Sequence, residues 1–217
     1  MLETIKTSVR NSSQYNKIVF VKNLRGQYFD WKHNIQTASN ARLADLSISS
    51  SNIQFGAEYV AADAKAVKEV FANLDIDHKR FVFVDLGSGK GRVLFAASDY
   101  PYKKIIGVEF AQELDQTAQN NIKNYRSRNQ KCTDIKSVCA DAAEFEIPNE
   151  PLVFFLFNPF GQKVISEVLA NIELSLKDNP RDVYILYMAT FHKKVFDESK
   201  SFKTLESGDW HILYKNV

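Results

Sequence analysis

Cysteine is scarce in this 217-residue sequence, which holds only Cys132 and Cys139. Two thiols cannot staple a disulfide framework, and neither has histidine partners at the spacing of a zinc site. Both read as reduced core thiols of a cytoplasmic protein, with no metal expected. Long apolar runs are lacking too. The longest, Leu152 to Phe157, is too short to span a bilayer, and the opening MLETIKTSVRNSSQYNK holds no apolar stretch of signal-peptide length. No membrane partner is expected. Nor is there a surplus of one charge: 28 Lys and Arg against 26 Asp and Glu leave +2. A polyanion binder usually announces itself by a clear basic excess, so this balance argues against a nucleic-acid partner. Internal repeats and low-complexity segments are missing as well. What is present, 45% apolar and 25% charged residues, is the composition of a globular protein. A chain of this length buries roughly 70% of its unfolded surface and can build its own core. A monomer or weak dimer is expected.

From residue 81 onward, β-rich runs alternate with helical stretches, the rhythm of a parallel sheet with crossover helices. FVFVDL (81–86), IIGVEF (105–110), IKSVCAD (135–141), PLVFFLFN (151–158) and DVYILYMAT (182–190) are rich in Val, Ile, Leu, Phe and Tyr without strict alternation. That suits strands covered on both faces. Leu114, Ala118, Ile122 and Tyr125 recur at helical spacing after the second strand, as do Ile165, Val168, Leu169, Ile172 and Leu176 after the fourth. Ala64, Val67, Val70, Phe71 and Leu74 mark a helix leading into the first strand. At the end, FKTLESGDWHILYKNV carries two β-type runs around Ser207-Gly208-Asp209, a hairpin signal.

The first strand runs directly into Asp85-Leu86-Gly87-Ser88-Gly89-Lys90-Gly91-Arg92, followed by the apolar helix of Val93, Leu94, Ala96 and Ala97. Glycines in such a turn remove Cβ atoms so that a ligand can approach the backbone, and a helix N-terminus offers N–H groups to an anionic ligand. Spacing excludes two ligand classes. The dinucleotide fingerprint needs a sixth-place glycine where Arg92 stands. The phosphate-binding loop needs glycine and a hydroxyl residue where Val84 and Gly91 stand.

The remaining pattern, D-x-G-x-G-x-G after a first strand, resembles motif I of class I S-adenosylmethionine-dependent methyltransferases. The likeness covers residues 55–217. It implies a Rossmann-like α/β fold with a seven-stranded, mostly parallel sheet, a terminal antiparallel hairpin and helices on both faces. VDLGSGKGR and the upstream FGAEYV also resemble small bacterial methyltransferases and, more loosely, the Dot1-like protein-lysine methyltransferases. The implied cofactor is S-adenosyl-L-methionine, held by Asp85, Gly87, Ser88, Gly89 and Gly91. Glu109, at the end of the second strand, takes the ribose hydroxyls, and Asp141 with Ala142 takes adenine; Glu144 is a competing carboxylate. Asn158-Pro159-Phe160 resembles the N/D-P-P-F/Y motif of amino-group methyltransferases with one proline missing.

These likenesses imply a methyltransferase domain over residues 56–217, with residues 1–55 as an N-terminal cap or lid, or else a loose extension without chemistry. Asn158 is a catalytic candidate at the carboxyl end of a central strand, where open α/β sheets place ligands, or an Asn-Pro turn residue. Pro159 stands with it as a catalytic candidate. Phe160 is an apolar wall beside the reacting methyl or a core anchor. Tyr59 lines the substrate side or only packs. The basic scatter of Lys123, Arg126, Arg128 and Lys131 reads as a solvated helix end. The expected activity is N-methylation of an amine acceptor, a protein side chain or small amine. The alternatives are a non-catalytic cofactor-binding regulator and a nucleic-acid or small-molecule methyltransferase.

Overall fold

A computed structural model of the chain describes residues 24–48 and 50–217. At its centre, β1 (Val82–Leu86) is buried along its whole length. Its side chains alternate: Val82, Val84 and Leu86 join one apolar cluster and Phe83 the other. Both faces are covered, which is why the sequence shows a continuous apolar run. Alongside lie β2 (Lys104–Glu109), β3 (Ile135–Cys139), β4 (Leu152–Phe157) and β5 (Val183–Met188), all parallel. The hairpin of β6 (Phe202–Ser207) and β7 (His211–Asn216) completes seven strands in the order β3-β2-β1-β4-β5-β7-β6. β7 runs antiparallel to both β5 and β6. This is the Rossmann-like, mostly parallel sheet with a terminal antiparallel pair expected from the sequence.

The helices follow the apolar periodicity. In α2 (Ala64–Ala72), Val67, Val70 and Phe71 are buried, and the Asp63 carboxylate caps the start by accepting from the Lys65 and Ala66 N–H groups. α2 and α3 (Arg92–Ala97) cover the Phe83 face. On the opposite face α5 (Gln162–Asp178) buries Val164, Ile165, Val168, Leu169 and Ile172, next to Phe196 of the short α6 (Lys194–Asp197). α4 (Gln112–Asn124) packs on β2 and β3, and Tyr125 after it stacks on Phe95 with ring centres 4.3 Å apart. The helix–strand rhythm breaks once: residues 140–151 pass from β3 to β4 in turns and irregular chain. Its apolar residues Ala140, Ala142, Ala143, Phe145 and Ile147 pack on the core from irregular chain, and Pro148 and Pro151 bar a helix over its second half.

Strand order reverses between β1 and β4, and their carboxyl ends lie side by side, with Leu86 paired to both Val108 and Leu156. An open α/β sheet forms its ligand crevice at such a switch point. Of the segment expected as a cap, residues 1–23 and Ser49 lie outside the described residues. Residues 24–33 are helical (α1), and the chain up to α2 runs over the carboxyl edge, with bridges Ala41–Tyr59 and Gly56–Phe160. Among the described residues, no helix is long and apolar enough to cross a membrane.

Candidate functional site

The turn after β1 is tied to β2: Gly87 and Ser88 both donate N–H bonds to the Val108 carbonyl, at 2.9 and 3.1 Å, and Gly91 donates to Ser88 O. Glycine is required here on two grounds. Gly87 and Gly89 adopt left-handed φ values of +83° and +54°. A Cβ on Gly87 would also lie 2.3 Å from Pro159 Cβ, and one on Gly89 would lie 2.2 Å from the Tyr59 ring. Pro159 and Tyr59 therefore close on the turn from two sides.

Two carboxylates meet at this turn. Glu109 is buried, and its oxygens accept N–H bonds from Gly89 at 2.8 Å and from Ala111 at 2.9 Å. Burial pushes its pKa up to about 6, opposed by these N–H bonds. Asp85 is fully enclosed, and burial, followed by the Glu109 charge, raises its pKa well above the ordinary carboxylate range. Its Oδ2 and the Ser88 Oγ are buried without a hydrogen-bond partner among the described residues. Such atoms are costly unless something satisfies them. The amino-acid end and ribose of S-adenosylmethionine carry donors of the required kind, so Asp85, Ser88, Glu109 and the glycine turn fit that group. The N–H groups of Gly87, Ser88, Gly89 and Gly91 are already paired within the protein.

A cavity of about 270 Å³ joins Asp85, Gly87, Ser88, Glu109 and Tyr59 to Asn158, Pro159 and Phe160. Asn158 takes a left-handed φ of +44° directly after β4, a conformation that costs energy in a residue with a side chain and is common where function demands it. Its Oδ1 accepts from the buried Tyr187 hydroxyl at 3.4 Å, a long bond. Phe160 is 8% exposed and belongs to the apolar core, touching the cavity from below. Phe157 and Phe191 stand more open at the cavity mouth.

Four expected residues do not line this cavity: Gly89 and Gly91 lie behind it in the turn, and Asp141 and Ala142 sit elsewhere. Asp141 and Ala142 border a separate, smaller pocket with Asn52, Phe110 and Phe160. The Asp141 carboxylate there accepts from Ser50 Oγ, Asn52 Nδ2 and the Ala143 N–H. Tyr59, expected on the substrate side, lines the same cavity as Asn158 and Phe160 and also packs its ring against Gly89, its hydroxyl donating to Thr37 O at 2.8 Å. Sequence reasoning also missed Lys90 and Arg92. Both are buried within the glycine motif and bind residues far upstream. Charged residues flanked by glycines before an apolar helix were the available signal.

The family model described as histone methylation protein DOT1 matches residues 53–138, from the segment before α2 through β3. No curated protein matches the chain. Among solved structures, the chain is similar to a predicted N6-adenine-specific DNA methylase from Listeria monocytogenes, with 16% identity over 72% of this chain and 51% of that one, TM-score 0.51. It is likewise similar to the mitomycin 7-O-methyltransferase MmcR, with 12% identity over 72% of this chain and 54% of that one, TM-score 0.52. The chain spans about half the length of each. The likeness is one of fold, and the fold is that of the class I methyltransferases.

Proposed function

We propose that the protein is an S-adenosylmethionine-dependent methyltransferase acting on an amine of a protein side chain or small molecule. The observation that carries this reading is one cavity lined by Asp85, Ser88, Glu109 and Asn158, with the Asp85 Oδ2 and Ser88 Oγ buried and unpartnered beside it and Glu109 clamped by the Gly89 N–H. When bound, S-adenosylmethionine supplies an electrophilic methyl group. Glu109 retains lone pairs for the ribose hydroxyls, because a carboxylate accepts more bonds than the two it makes to backbone. Asp85 and Ser88 take donors of the amino-acid end.

The acceptor end needs alignment more than acid–base strength, since a neutral amine only has to aim its lone pair. The Asn158 side-chain oxygen accepts an acceptor N–H through the lone pair that Tyr187 leaves free. Phe157, Pro159 and Phe160 form apolar walls that exclude water. Asn158→Ala tests this division of labour. S-adenosylmethionine affinity is expected to stay within about threefold while single-turnover transfer slows by roughly 10²-fold, the scale of lost alignment. Parental transfer rates would return Asn158 to a turn residue, and joint loss of binding and transfer would reopen the acceptor class.

A further inference from the structure

We propose that residues 30–41 brace the cofactor site from behind its glycine turn, outside the cavity itself, and that Tyr59 is a positioning residue, transmitting their docking to Glu109 through Gly89. The inference rests on the cofactor reading above and adds a segment that the family match, residues 53–138, does not reach.

Three side chains in or beside the glycine motif grip this segment. Arg92 pairs with Asp30 at 3.3 Å, with the two side chains 7% and 13% exposed, and its Nε donates to Thr37 Oγ1 at 2.6 Å. Lys90 donates to the Ser39 carbonyl and hydroxyl at 2.7 and 2.6 Å. Asn121 of α4 accepts from the Gln36 N–H at 2.8 Å and donates to the Gln36 and Lys90 carbonyls at 3.1 and 3.0 Å. Asp30 in turn accepts from the Thr37 hydroxyl and the Ala38 N–H, both at 2.6 Å. Thr37 is completely buried. Charges taken out of water are stable only when paired and hydrogen-bonded, so this segment has one well-defined docked position.

From Thr37 a chain of contacts leads to the candidate site. The Thr37 carbonyl accepts the Tyr59 hydroxyl at 2.8 Å, and backbone bonds of 3.0 and 3.2 Å between Ala41 and Tyr59 fix the same register. The Tyr59 ring lies against Gly89 so closely that no Cβ fits between them. The Gly89 N–H, held in that place, donates to Glu109 Oε2. Each link is a direct contact, and the last is on the carboxylate assigned to the ribose.

Calorimetric titration with S-adenosylhomocysteine tests the chain, with Tyr59→Phe removing only the hydroxyl. The expected result is about tenfold weaker binding, with the unfolding temperature lowered by no more than the loss of one buried hydrogen bond accounts for. A merely structural tyrosine would act independently of Glu109, so the deciding readout is a double-mutant cycle: Tyr59→Phe should cost less than about twofold once Glu109→Ala is present. Because coupling is reciprocal, the ligand should also slow amide exchange at residues 36–41. Wild-type affinity in Tyr59→Phe, or a fully additive cycle, would overturn the inference while leaving the cofactor reading intact. Failure of the parent protein to bind S-adenosylhomocysteine would overturn both.

Discussion

Glu109 carries the sharpest consequence at the scale of a residue. Its carboxyl, raised to about 6 by burial, must be ionised to accept hydroxyl donors on both oxygens. The Glu109 contribution to S-adenosylhomocysteine affinity is therefore expected to be lost as pH drops through about 6, with Asp85, also raised by burial, adding its own loss on the same side. Titrations across pH 5–8 check this, and Glu109→Gln should remove the fall centred near pH 6. Stability runs the other way: because the folded pKa lies above the unfolded one, the ligand-free protein gains stability from this group as pH falls from about 6 towards 4.5. Asp85, Glu109 and the three glycines were legible in the sequence because chemistry and spacing coincide there. The Arg92–Asp30 pair was not, since it joins residues 62 apart through a segment without periodicity. Asp141 was legible as a carboxylate after β3, but its Ser50 and Asn52 partners depend on a loop that only the fold brings near.

Among elements, the turn between β1 and α3 tolerates least. A valine at Gly89 would combine an unfavourable φ of +54° with collision against the Tyr59 ring. Gly89→Val is expected to abolish cofactor binding while the sheet still folds, as circular dichroism and calorimetry would show together. The ends of β4 and β5 are strained in parallel, with Asn158 at φ +44° and Ala189 at φ +51°. For Ala189 glycine removes the strain, so Ala189→Gly should raise unfolding free energy in urea by up to about 1 kcal/mol. A loss of stability would mean that the left-handed turn is comfortable as it stands. Central strands were readable because two covered faces demand unbroken Val, Ile, Leu and Phe. The irregular β3–β4 crossover breaks the βαβ rhythm that the flanking strands suggest, and the packing of residues 24–60 on the carboxyl edge depends on buried polar pairs that leave no pattern.

For the molecule as a whole, the sheet order fixes where chemistry can occur, and the switch point between β1 and β4 collects acid, glycine and amide groups from distant parts of the chain. On the proposed reading this crevice holds S-adenosylmethionine, and the glycine register disfavours dinucleotides and nucleoside triphosphates. Isothermal titration of the full chain with S-adenosylhomocysteine, NAD and ATP tests it most directly. One S-adenosylhomocysteine site per chain is expected, lost in Gly89→Val, with no comparable heat from NAD or ATP. Binding of NAD more tightly than S-adenosylhomocysteine, or S-adenosylhomocysteine binding unaffected by Gly89→Val, would contradict it.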